Sequence, residues 1–255
     1  MSTNEPGPPS PGAEHIQNAL ADRCPEYRTQ LAPGPGDTAV PATAVLDPVW
    51  LGARLAESGR RYRTGDARVA AILWWYSAST VLLTPALATY AVTRRAVDPR
   101  PEATALFVRR DGLPSGARST AVAGGTPYEA GTALGLGIAA YVGALAEAAP
   151  VRPRAAWAIA VDAVAGVLLR AGTTVGEPEA ATALAAPLVA AAAEAADVPL
   201  PRPRYVDFGR TRFVHRASCC LLYRAPGQPM CTSCPGRRPE DRAEDLARLA
   251  RGLGK

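Results

Sequence analysis

Apolar positions in this chain recur mostly at helical spacing, and the longest uninterrupted stretch is RVAAILWWYSASTVLLTPALATYAVTRR, with no charge between Arg68 and Arg94. About 20 apolar residues suffice to cross a bilayer, so a transmembrane helix over 69–93 is one reading. Ser77, Ser79, Thr80, Thr84, Pro85 and Thr89 are spread through the run, and Trp74 and Trp75 stand near its middle third instead of at a membrane interface. The pattern therefore favours a buried core helix, kinked or divided at Pro85.

The flanking patterns predict more helices. DPVWLGARLAESGRRY offers an N-cap Asp47, proline at the first helical position and an apolar stripe of Trp50, Leu51 and Leu55. Three Ala-rich segments, 128–149, 151–171 and 177–196, carry helical periodicity, and their small side chains permit close packing. RPEDRAEDLARLARGLGK, with acids early and bases late after Pro239, reads as a last amphipathic helix. The strand signal lies at 105–109, followed by an Asp-Gly turn and a partner at 117–122, which is a single hairpin. The expected fold is mainly α, an α+β chain with a small β-hairpin.

Proline and glycine divide the chain. Residues 1–40, with PGPPSPG and LAPGPGD, are expected to form a flexible lead-in with one short helix near 15–24. Residues 41–200 are expected to form the helical body, the candidate siderophore-binding region. At VPLPRPRYVDFG apolar content falls and arginine rises, placing a C-terminal module at 201–255.

Charge follows the same division. Residues 201–255 hold twelve Lys or Arg against five Asp or Glu, a net +7, which leaves −2 for residues 1–200 of a chain whose total is +5. The opening MSTNEPGPPSPGAEHIQN is neither a secretory signal nor a transit peptide, so a cytosolic, reducing compartment is expected. There a tight cysteine cluster is more often a metal site than a disulfide framework. Cys24, far from the other four cysteines, reads as a lone structural thiol.

Those four, Cys219, Cys220, Cys231 and Cys234, fall in the pattern C-C-x10-C-x2-C. Four thiolates describe tetrahedral zinc or an iron–sulfur cluster. Cys231 and Cys234 fit the spacing of a chelating pair on one ion; the adjacent Cys219 and Cys220 do not, since successive side chains of an extended backbone point to opposite faces. A binuclear site offers more sulfur-accepting positions, so the spacing leans to [2Fe-2S] and leaves zinc open.

RASCCLLYRAPGQPMCTSCPGRRPEDR resembles the C-terminal signature of the FhuF-type ferric siderophore reductases in all four cysteine positions, in spacing and in the proline and basic residues that follow. A weaker similarity extends upstream through ARVAAILWWYSASTVLLTPALATYAV, AAWAIAVDAVAGVLLRAG and PRPRYVDF, so that it covers about residue 45 onwards. The resemblance implies a C-terminal [2Fe-2S] module with Cys219, Cys220, Cys231 and Cys234 as ligands. It also implies one-electron reduction of Fe(III) in ferric siderophores, the hydroxamate type favoured, with release of Fe(II) for iron assimilation. An external ferredoxin or flavin reductase is the expected donor, because no nucleotide fingerprint joins a strand to a helix; LGLGIAA at 134–140 sits in a helical context. No catalytic residue beyond the ligands is expected, nor a nucleic-acid partner. Peripheral association with an importer at the inner membrane face is compatible with this reading. The alternative is a zinc-stapled interaction module with a basic surface.

Several residues invite roles near such a site. The arginines at 210, 212, 216, 224, 237 and 238 form a basic surround that would stabilise an anionic cluster as a group. His215 raises a Rieske-like ligand set, which four cysteines make unnecessary. Asp162, inside the apolar AAWAIAVDAVAGVLL, reads first as a hydrogen-bonded core carboxylate. Trp74, Trp75 and Tyr76 read first as core and second as the wall of a pocket.

Overall fold

The computed structural model describes residues 7–253. Its longest helix is the charge-free run. Preceded by α1 (Pro11–Arg23) and α2 (Pro48–Arg61), α3 spans Ala67–Thr93 without a break. Asp66 accepts from the N–H groups of Arg68 and Val69 at its start, and Arg94 ends it in the left-handed conformation at φ 59°. Pro85 does not divide it. Threonine hydroxyls donate to carbonyls one turn back, Thr84 to Thr80 at 2.7 Å and Thr89 to Pro85 at 2.7 Å, which gives the polar residues of a buried helix their partners. By length and composition α3 could cross a membrane, as could three further helical stretches, yet 78% of its most apolar window is buried within the fold.

The Ala-rich segments become α4 (Pro127–Ala148), α5 (Pro153–Thr174) and a pair interrupted at Leu184, α6 (Pro178–Ala183) and α7 (Ala185–Ala196). A capping box of Thr126 and Glu129 starts α4. Glycines then let α4 and α7 approach closely: a Cβ on Gly135 would stand 2.5 Å from the Ala192 carbonyl oxygen, and one on Gly131 2.6 Å from the Ala191 Cβ. Packed along α3 lies α5, and the Trp75 indole joins them by donating to the Ala156 carbonyl at 2.8 Å.

Strands occupy the edges of this bundle. β1 (Thr38–Pro41) enters early in the chain; β2 (Ala96–Val97), β3 (Thr104–Val108), β4 (Pro114–Ser119) and β5 (Val122–Gly124) follow α3. The predicted hairpin is β3 and β4, whose second strand begins earlier than expected because Gly112 turns the chain at φ 79° and Val108 already pairs with Pro114. Antiparallel pairing of β1 with β3 makes a three-stranded sheet ordered β1-β3-β4, where one hairpin was expected. β2 and β5 form a separate short pair.

The lead-in departs from expectation. Ser10 caps α1, Pro11 opens it, and Ala13, Ile16, Leu20, Cys24 and Tyr27 are buried in the core. Gln17 both donates to the Ser119 carbonyl and accepts from the Ser119 N–H at 2.9 Å, and Arg23 donates to the Val92 carbonyl at 2.6 Å. This segment is not a flexible tail over the residues described; the first six residues of the 1–40 range lie outside them. Cys24, fully buried, has its thiol pushed up by burial, consistent with a structural role.

Beyond the body, β6 (Tyr205–Phe208) and β7 (Thr211–Val214) form a hairpin turned by Gly209 at φ 61°. β7 lies against α5, and the last helix, α8 (Pro239–Leu253), packs on both strands through the buried Leu246. Between β7 and α8 runs the cysteine-bearing loop, held between the body and the final helix.

Candidate metal centre

Asp162 on α5 fixes the start of the cysteine loop. Its two carboxylate oxygens accept from the N–H of Ala217 and of Ser218, each at 2.9 Å, and from the Ser218 hydroxyl at 2.5 Å. Three donors on one buried carboxylate leave little freedom in the backbone that delivers the first cysteines. From the other side, Arg237 donates to the carbonyls of Cys231 at 3.0 Å and Met230 at 3.1 Å, and pairs with Asp245 of α8 at 2.9 Å. The loop is thus anchored at one end to the body and at the other to the last helix.

Between these anchors the four sulfurs meet as two couples. Cys219 Sγ lies 3.7 Å from Cys234 Sγ, while the Cys220 thiol lies close enough to that of Cys231 for each to shift the other. Cys220 and Cys219 therefore face different partners, as the opposite faces of adjacent residues require. The two cysteines of the C-x-x-C are likewise turned toward different members of the adjacent pair, Cys234 toward Cys219 and Cys231 toward Cys220. Among the described residues no three His, Cys, Asp or Glu side chains converge to hold a single metal ion. Paired sulfurs fit a binuclear centre better than one zinc.

A backbone amide serves the sulfurs too. Leu221, in the left-handed region at φ 59°, turns so that its N–H donates to Cys219 Sγ at 3.4 Å. The hydrogen bond from Cys231, with Arg216 nearby, brings the Cys220 thiol down to about 5. Cys231, which supplies that proton, is pushed well up. Burial raises the Cys219 thiol.

The basic surround resolves into individuals. Arg216 Nη1 reaches Cys231 Sγ at 3.5 Å, its guanidinium lies over the Tyr76 ring at 4.8 Å, and its side chain is only 7% exposed. Asp162 stands 3.6 Å from Arg216 Nε, an ion pair too long for a hydrogen bond, so Nε and Nη2 are buried without partners. Arg212 is committed to Asp207 and Thr182, and Arg238 to Glu240 at the surface. An orphaned, desolvated guanidinium against cysteine sulfur is what an anionic sulfur cluster would satisfy.

Residues 216–235 match the family model of the FhuF 2Fe-2S C-terminal domain. The chain thus carries a 2Fe-2S-binding domain of FhuF type, and its cofactor is a [2Fe-2S] cluster. All four cysteines and Arg216 fall inside the matched segment, while the helical body lies outside it. No curated protein matches the chain.

The FhuF-type domain borders a cleft of about 210 Å³ between α3, α5 and β7, lined among others by Tyr76, Asp162, Arg170, Phe213, Arg216 and Ser233. Trp74 and Trp75 are core, at 1% and 0% exposure; Tyr76 turns outward to this cleft. His215 does not join the sulfurs: its Nε2 meets Arg242 at 3.3 Å, and burial with Arg204 and Arg242 nearby lowers its affinity for a proton. Sequence reasoning singled out Asp162 without linking it to the cysteines, and treated Arg216 as one of a group. A charged residue in an apolar helix was the signal for the first; nothing local distinguished the second.

Proposed function

We propose that this protein is an iron–sulfur oxidoreductase that passes single electrons to Fe(III) in ferric siderophore complexes, so that the iron is released as Fe(II). The carrying observation is the gathering of four cysteines, within a segment of FhuF 2Fe-2S type, beside a buried guanidinium two of whose nitrogens lack hydrogen-bond partners. Cys219, Cys220, Cys231 and Cys234 are the ligands in this reading.

When bound, a [2Fe-2S] cluster supplies one-electron chemistry. The chain's own residues fix and tune the site. Asp162 and Arg237 hold the ligand loop, the amide of Leu221 donates to sulfur, and Arg216 places a cation where negative charge accumulates. Hard oxygen ligands prefer the more highly charged Fe(III), so one added electron weakens their hold on the substrate iron. No general base or nucleophile is required.

In this reading the substrate approaches through the cleft at Tyr76, Arg170 and Phe213. A cavity of about 150 Å³ accommodates a benzene ring, so this one suits a single chelating arm and leaves the rest of the complex outside. The electron donor in this reading is a separate ferredoxin or flavin reductase, and the reaction takes place in the cytoplasm.

Oxygen-protected purification followed by iron, acid-labile sulfide and EPR analysis tests the cofactor. Reduction of a panel of ferric hydroxamates and catecholates, with Fe(II) trapped by a coloured chelator, tests the reaction. The expected result is two irons and two sulfides per chain and chelate-dependent Fe(II) release. A colourless protein with one zinc, or a bleachable cluster that reduces none of the chelates, overturns the reading.

A further inference from the structure

The two sulfur couples are not equivalent, and their difference assigns the irons. Two thiolates on one tetrahedral metal with bonds of about 2.3 Å stand roughly 3.8 Å apart. Cys219 and Cys234 are 3.7 Å apart, which leaves Cys220 and Cys231, the latter against Arg216, as the second couple. Each couple takes one residue from the adjacent pair and one from the C-x-x-C, and the adjacent cysteines face apart.

The surroundings of the couples differ in charge. Cys231 accepts from Arg216, a guanidinium buried between Tyr76 and Asp162 with two further nitrogens unpartnered. Cys219 accepts a backbone amide from Leu221, and among the described residues no guanidinium lies within hydrogen-bond distance of Cys219 or Cys234. In a poorly solvated site a cation at this range stabilises added negative charge far more on the near side than on the far side.

Resting on the reading of a [2Fe-2S] reductase, we propose that Cys219 and Cys234 hold one iron, Cys220 and Cys231 hold the other, and Arg216 makes the second the iron that carries the added electron. The oxidised centre has two Fe(III); one electron, from dithionite in the test or a one-electron donor protein in function, converts the iron of Cys220 and Cys231 to Fe(II). No bond to the protein is broken and no proton is transferred. Arg216 acts here as a tuning residue through the cluster, a role separate from its place in the lining of the cleft.

Single cysteine-to-serine variants of the holoprotein, read by redox titration and by EPR of the reduced state, test the assignment. Cys220→Ser and Cys231→Ser should form one class, with lowered midpoint potential and altered g values; Cys219→Ser and Cys234→Ser should form a second class, closer to the wild type. Grouping of Cys219 with Cys220, or of Cys231 with Cys234, overturns the pairing. Should serine variants fail to assemble, proton NMR of the reduced wild-type protein decides: the cysteine β-protons split by temperature dependence into an Fe(III) set and an Fe(II) set, and the Fe(II) set must be Cys220 and Cys231.

Arg216→Gln should lower the midpoint potential with the cluster retained, and Arg216→Lys should restore part of it. Arg238→Gln, at an arginine whose side chain is 78% exposed, should leave it unchanged. A wild-type potential in Arg216→Gln overturns the role given to Arg216. A protein without acid-labile sulfide fails the reductase reading itself, whereas a cluster with another grouping fails this inference alone.

Discussion

Asp162 is one carboxylate with two tasks. It binds the backbone that precedes the first cysteines, and it is the closest counter-charge to Arg216. Replacing it by Asn keeps the volume but sets an amide against two backbone donors and leaves Arg216 buried without an anion. Breaking a buried pair from one side costs about 3–5 kcal/mol, and the loss should fall on the loop. Asp162→Asn should therefore lower unfolding stability by about that amount and lower the iron content of the isolated protein. Urea denaturation and iron analysis check this; a loss under about 1 kcal/mol with full iron occupancy would mean that the loop is held by other contacts. The same residue shows how far a sequence can be read. An acid in AAWAIAVDAVAGVLL announces a satisfied partner, but its partners, Ala217 and Ser218, are 55 and 56 positions away and nothing local names them.

Helices were legible where their ends are chemically marked. Asp47, Asp66 and Thr126 cap α2, α3 and α4 with side-chain oxygens, and the prolines that follow Asp47 and Thr126 sit where a missing N–H costs nothing. The β3–β4 hairpin was legible too, but β1, β6 and β7 were not: they are four residues each and only partly buried, so they lack the alternation that betrays longer strands. Composition alone also could not tell which glycines matter. On α4, Gly135 faces the backbone of Ala192, with Ala192 Cα 2.8 Å from a hypothetical Cβ, while Gly143 has nothing within 4 Å. Gly143→Ala should stabilise by about 0.5–1 kcal/mol through helix propensity. Gly135→Ala gains the same propensity but must push α7 away, and overpacking costs typically about 1–3 kcal/mol. Equilibrium unfolding of the two variants should show opposite signs. Equal stabilisation would mean that α7 yields freely and that the small-residue contact is no constraint.

At the scale of the molecule, the cysteine pattern was legible because ligand spacing is local, whereas the attachment of the first forty residues was not, because proline-rich text reads as loop whether or not it is docked. The structure places α1 against α3 and the sheet, with Leu20 and Tyr27 fully buried and Gln17 exchanging hydrogen bonds with Ser119 across 102 positions of sequence. If that segment belongs to the core, it should behave energetically as core. Leu20→Ala removes a side chain with 0% exposure, and such truncations cost about 2–5 kcal/mol where the cavity cannot collapse; at a loosely tethered tail the same change would cost less than about 0.5 kcal/mol. The two cases are far enough apart for one denaturation curve to separate them. The unfolding transition should stay single, because the helix shares its buried face with α3, whose first half supplies Tyr76 to Arg216. A two-step curve, with the first step assigned to residues 11–27 by hydrogen exchange, would show instead that the amino-terminal helix opens independently of the part that holds the sulfurs.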